Sequence, residues 1–104
     1  MSDPSPLLAA ADRLADRFRS MPQNRLTALA PSGLDLARRL ARQAQQVEGD
    51  IVRDEIPEAG IFAVGDQIAV AAHDLAAALR AVDGAESEQA LADSLAAVRA
   101  VAAL

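Results

Sequence analysis

The chain has 104 residues, no cysteine, and 15 acidic against 10 basic side chains, for a net charge of −5. That length allows a hydrophobic core without disulfides or a structural metal, and the lack of cysteine excludes a disulfide framework, a thiolate metal site and a cysteine nucleophile. The charge is unevenly spread: seven arginines stand against four acids through Val47, and three against eleven from Glu48 onward. Such halves favour pairing with one another, within one chain or between two, over binding to nucleic acid.

Ser5 followed by Pro6 reads as an N-cap and a first-turn proline. Leu7, Ala11, Leu14, Phe18 and Met21 then recur in steps of four and three, which predicts a helix over about residues 6–20. Pro22 stops it near Ser20. The segment SMPQNRLTALAPSG holds two prolines, Asn24 and Gly33, and reads as a connection. Ser32 with Asp35 resembles a capping box for a second helix over about 32–48, with Leu36, Leu40, Ala44 and Val47 on one face and Gly49 as its stop. The stretch GDIVRDEIPEAG is an acidic linker whose Ile51, Val52 and Ile56 should pack on the domain, since Pro57 and Gly60 exclude a continuous helix.

The strongest periodicity follows. With each residue turning by about 100°, Ile61, Val64, Ile68, Ala72, Leu75, Leu79 and Val82 fall within about 40° of one line. This seam predicts a central helix over about 62–83, with Gly84 as its C-cap. Its opposite side carries Asp66, Val70, His73, Ala77 and Arg80, with Ala81 beside them, and is only lightly polar. Ser87 caps a last helix over about 87–103, with Leu91, Leu95, Val98 and Ala102 on one face. The expectation is a single all-α domain over 1–104: an antiparallel four-helix bundle with an Ala/Leu-rich core containing Leu14, Phe18, Leu40, Val47, Ile68, Leu75, Leu79, Leu91 and Leu95.

Alanine fills roughly a quarter of the chain and lysine is absent, a bias toward GC-rich codons that points to a high-GC bacterial genome. The N-terminus lacks a signal-peptide pattern and no segment approaches about 18 uncharged apolar residues, so a cytoplasmic protein with no membrane partner is expected. No cofactor or catalytic signature stands out. Asp66 and His73 lie seven residues apart, about 10.5 Å along a helix, too far to share one metal ion. A site would have to recruit Gln43, Gln46 or Glu48 from another helix. The plainer reading of His73 is a structural or surface histidine, the sharper one a contact or pH-sensitive group. Arg38, Arg39 and Arg42 could touch phosphate, but they lack aromatic stacking neighbours and sit in an acidic protein, which argues against nucleic acid.

The favoured function is therefore a small protein-protein interaction module, an adaptor or regulatory subunit without catalysis. Its partner is another protein or, preferentially, a second copy in a homodimer, and its contact candidates are Asp66, Val70, His73, Ala77, Arg80 and Ala81. A helical small-molecule or nucleotide-processing enzyme using Asp66, His73 and the acidic linker is the alternative, and nucleic-acid binding through the three arginines a second. SMPQNRL, LARQAQQVEG and FAVGDQIAVAAHDLAAAL together resemble a group of small uncharacterised helical proteins from actinobacteria. The resemblance covers about a third of the chain, agrees with the codon bias, and implies a lineage without an activity.

Overall fold

The 4–3 spacing of the first apolar run folds as a helix, α1, over Ser5–Ser20, and buries Leu7, Ala11, Leu14, Ala15 and Phe18. The computed structural model describes residues 3–49 and 55–104, so the expected packing of Ile51 and Val52 lies outside the described residues. The start of α1 differs from expectation. Pro4 is the N-cap, and Asp3 Oδ1 accepts hydrogen bonds from both the amide (3.0 Å) and the hydroxyl (2.7 Å) of Ser5. Those two bonds, the hydroxyl's first, hold the Asp3 carboxyl below its usual range.

The second difference is larger. The expected connection is helix: α2 runs over Gln23–Glu48, beginning directly after Pro22, whose extended backbone ends α1 where the sequence said it would. Pro31 lies inside α2, where it cannot donate to the Thr27 carbonyl, but its ring sits on the exposed side. The buried stripe Leu26, Ala30, Gly33, Ala37, Leu40 and Ala44 continues past it unbroken. Packing of that stripe outweighs one missing hydrogen bond, and Ser32 and Asp35 become mid-helix residues with no capping role. Gly49 ends α2 as expected, in the left-handed conformation at φ 78°.

A 3-10 turn over Ile61–Ala63 leads into α3, Val64–Arg80. The expected seam is the buried one at its centre, with Ile68, Ala72, Leu75 and Leu79 wholly inaccessible. Burial extends beyond that seam to Ala71, Ala76 and Ala78, because α3 packs on both α1 and α2. The helix ends at Arg80, before Gly84, which instead stands as N-cap of α4, Ala85–Ala102. Ser87 is not the cap: its hydroxyl donates to the Gly84 carbonyl at 3.0 Å. The buried face of α4 is also turned from the expected one. Ser87, Ser94 and Val98 are buried, whereas Leu91 and Leu95 are half-buried. Ser94 donates to the Leu91 carbonyl at 2.9 Å, so its hydroxyl enters the core already satisfied.

The described residues are thus all-helical, with four α-helices. α3 lies against α2 and α1, and α4 packs on α1 and α2 while hardly touching α3. Along the α1/α3 seam, Arg19 meets Asp66 and Asp12 meets His73, so these two helices run in opposite directions. Gly33 meets Val64 at one end of the α2/α3 seam, while Val47 and Val82 line one cleft at the other, so α2 and α3 run in the same direction. The all-antiparallel arrangement does not hold for this pair. The connection between α2 and α3 is described from Glu55 onward. That part is tied down. Arg38 Nε donates to the Ile56 carbonyl at 2.9 Å, Arg42 pairs with Glu55, and Gln67 Nε2 donates to the Pro57 carbonyl at 2.9 Å. At the far end Arg17 and Arg25 donate to the carbonyls of Ala102 (2.8 Å) and Leu104 (2.7 Å), fixing the end of α4.

Two glycines set how closely the helices approach. A Cβ on Gly33 would lie 2.6 Å from Val64 Cγ1 and 2.7 Å from the Phe18 ring, and one on Gly65 would lie 2.9 Å from the Ala15 carbonyl oxygen. Gly33→Ala should therefore destabilise the protein, because overpacking of about 1–3 kcal/mol exceeds the helix-propensity gain of about 1 kcal/mol. Urea denaturation followed by circular dichroism reads this, and a stabilised variant would refute the close approach. Leu75→Ala should cost about 2–5 kcal/mol through lost transfer energy and a cavity. A loss under about 1 kcal/mol would mean that Leu75 is not central to the core.

Candidate contact face on the central helix

The outer side of α3 is the one opposite its seam, and it is where the sequence placed its candidates. Asp66, Val70, His73, Ala77, Arg80 and Ala81 are all exposed. They share a stripe because residues three, four and seven apart return to one side of a helix. They do not share one chemistry. Arg19 of α1 donates from Nε to Asp66 Oδ1 at 2.8 Å, and from a terminal nitrogen to Asp16 Oδ1 at 2.8 Å. The Asp66 bond is the first cause of a raised Arg19 pKa, with Asp16 adding to it. One α3 turn pair further on, His73 Nε2 lies 3.0 Å from Asp12 Oδ1. Asp66 and His73 are thus engaged separately by α1, and the structure does not bring them together.

The remaining members are unengaged. Val70 is 61% exposed, a high value for a branched apolar side chain, and Ala77 and Ala81 continue the strip. Asp74 and Arg80 are exposed and form no ion pair or hydrogen bond among the described residues; Arg80 acts on Asp3 only as the weakest of the influences on its carboxyl. Phe62, in the 3-10 turn that precedes α3, is 74% exposed. Sequence reasoning did not single it out, although its place one residue off the seam at Ile61 already turned it away from the core. Other residues expected to lie off the seams are less available. Ala78 is buried, and Ala97 and Val101 pack half-buried on the core, which leaves Leu104, 51% exposed.

The residues considered for other chemistry are dispersed. Gln43 and Gln46 line a cleft of about 520 Å³ with Val82, Asp83, Glu86 and Asp93, near the end of α3 remote from Asp66. Glu55 faces Arg38 and Arg42, and Glu58 accepts from the Gly60 amide at 2.7 Å, so the described acids of the linker serve the linker itself. Of the three clustered arginines, only Arg39 has no such partner among the described residues. No group of three or more His, Cys, Asp or Glu able to hold a metal ion occurs among the described residues.

The stretch Ile61–Arg80 is long and apolar enough, by length and composition, to cross a membrane, with a mean hydropathy of 1.2 over its best window. Sequence inspection did not expect such a segment. Its apolar side is the seam buried against α1 and α2, as befits a core helix, and its charged residues lie on the outer side.

Comparison with known protein families, with curated proteins and with solved structures finds no match. The face must therefore be read from its own chemistry. The ion pairs along its α1 edge are exposed, with Arg19 and Asp66 side chains 44% and 72% accessible. Arg19→Ala should accordingly lower stability by no more than about 1 kcal/mol, and less in high salt. Denaturation at low and high ionic strength checks this; a large, salt-independent loss would make the pair part of the core instead of a rim.

Proposed function

We propose that the protein is a small cytoplasmic protein-protein interaction module, an adaptor or regulatory subunit without catalysis, built on an Ala/Leu-rich core. It docks on another protein chain through the outer side of α3. The observation that carries this reading is the exposure of Val70, with Ala77 and Ala81 further along the same side, on a helix whose other sides are covered by α1 and α2. A helix side meant for water is ordinarily furnished with long charged side chains, which cost little there and discourage association. Here the centre of the strip is apolar and small, and the charges stand at its edges, the arrangement of a contact with a dry middle and a polar rim. Phe62, exposed in the turn that leads into α3, is a further large apolar side chain open to a partner.

Ala77→Arg tests the reading, because it adds bulk and charge at an exposed position and leaves the buried seam untouched. The expected result is loss of association, by light scattering for self-association and by co-purification for other partners, with unchanged helicity by circular dichroism. Association that survives the substitution at full strength would remove the α3 face from the interaction.

A further inference from the structure

We propose that the partner of the α3 face is a second copy of this chain, docked helix on helix across a two-fold axis beside Ala77, so that each Asp74 meets the partner's Arg80. The inference rests on reading this face as a contact surface and adds who fills it and how. Asp74 and Arg80 stand three residues before and three after Ala77. In a helix that places them about 4.5 Å to either side along the axis, and about 60° to either side around it. They are one acid and one base, both exposed and neither in an ion pair or hydrogen bond among the described residues, although Arg80 stands near enough to Asp3 to act weakly on its carboxyl. The other polar groups of the stripe already have partners, Asp66 in Arg19 and His73 in Asp12.

A two-fold axis makes an interface out of one patch used twice, so the patch must complement itself. The displacement of 60° around a helix whose side chains reach about 5 Å from its axis is about 4.3 Å, close to the 4.5 Å rise. The line from Asp74 to Arg80 therefore runs at about 45° to α3. A two-fold axis perpendicular to that line, in the plane of contact, exchanges its two ends. Each carboxylate then falls opposite the other copy's guanidinium, twice, and the two helices cross near a right angle. Crossings of this kind are less common than shallow ones, and they need a small residue at the point of closest approach. Ala77 occupies that point. A partner of unrelated sequence would have to supply an acid and a base in this spacing, whereas a second copy supplies both without further design.

One helix crossing another at a steep angle covers less than the roughly 800 Å² per partner of a standard stable interface. Self-association is therefore concentration-dependent, and sedimentation equilibrium over a wide concentration range measures it. Asp74→Arg alone sets like charges against each other at both contacts, as does Arg80→Asp alone. Each should weaken the dimer by about tenfold or more. The double variant Asp74→Arg/Arg80→Asp restores both pairs and should recover the dimer. An equimolar mixture of the two single variants should also associate, although neither does by itself. Single variants that dimerise as the wild type does, or a double variant that fails to recover, overturn the two-fold arrangement. If Ala77→Arg abolishes self-association in that case, the α3 face stands as the contact and only the crossed two-fold geometry falls. A wild-type chain that stays monomeric throughout overturns the second copy as the occupant, while capture of another protein that Ala77→Arg abolishes would keep the face.

Discussion

The position of Phe18 between two glycines is the constraint on which the helix packing depends. Its ring lies where a side chain on Gly33 of α2 would be, and its Cβ lies 3.4 Å from where one on Gly65 of α3 would be. Phe18 is almost wholly buried, so neither neighbour can yield by letting the ring swing into water. One large side chain and two absent ones thus fix how near α1 stands to α3 and how near both stand to α2. The seam residues Ile68, Leu75 and Leu79 then fill the space that this approach defines.

The charge asymmetry of the chain finds its outlet within this arrangement. Basic residues of the first half, Arg19, Arg38 and Arg42, pair with acids of the second, Asp66 and Glu55. Each pair is exposed or half-exposed and contributes little by itself. Their effect is on position: Arg38 and Arg42 hold Glu55 and Ile56 beside α2, and Arg19 lies at the start of α3 where that helix runs against α1. Part of the charge asymmetry is thus used to close the chain on itself.

What remains open to a partner follows from how unequally the last two helices are covered. α3 is packed from two sides and leaves one strip, with Val70, Asp74, Ala77, Arg80 and Ala81 unengaged. α4 turns Ser87 and Ser94 inward with their hydroxyls satisfied by their own turns, and keeps Leu91 and Leu95 at its flanks. Half-buried leucine at the edge of a helix is ordinary in a small protein. A branched residue in the middle of an exposed strip, with small residues further along the helix, is the less ordinary feature, and it lies on the helix that organises the core.

The sequence by itself determined that the described chain is helical, that Pro22 ends α1, that Gly49 ends α2, and which line of α3 is its core seam, because each is a local matter of ring closure, backbone handedness or 3.6-residue period. It did not determine α2. The stripe Leu26, Ala30, Gly33, Ala37, Leu40 and Ala44 does recur in steps of four and three, but the two prolines, Asn24 and Gly33 made the segment through Gly33 read as a connection without a sustained period. Only the tertiary structure shows that Pro31 faces water, and that Gly33 is small because Phe18 and Val64 press against it. The same holds for the faces of α4, where alanine is so common that no single stripe stands out, and for the parallel run of α2 and α3. The membership of the α3 strip was readable from spacing alone. Which of its members were free was not, because Arg19 and Asp12 reach Asp66 and His73 from a helix more than forty residues away, and no local pattern records such a meeting.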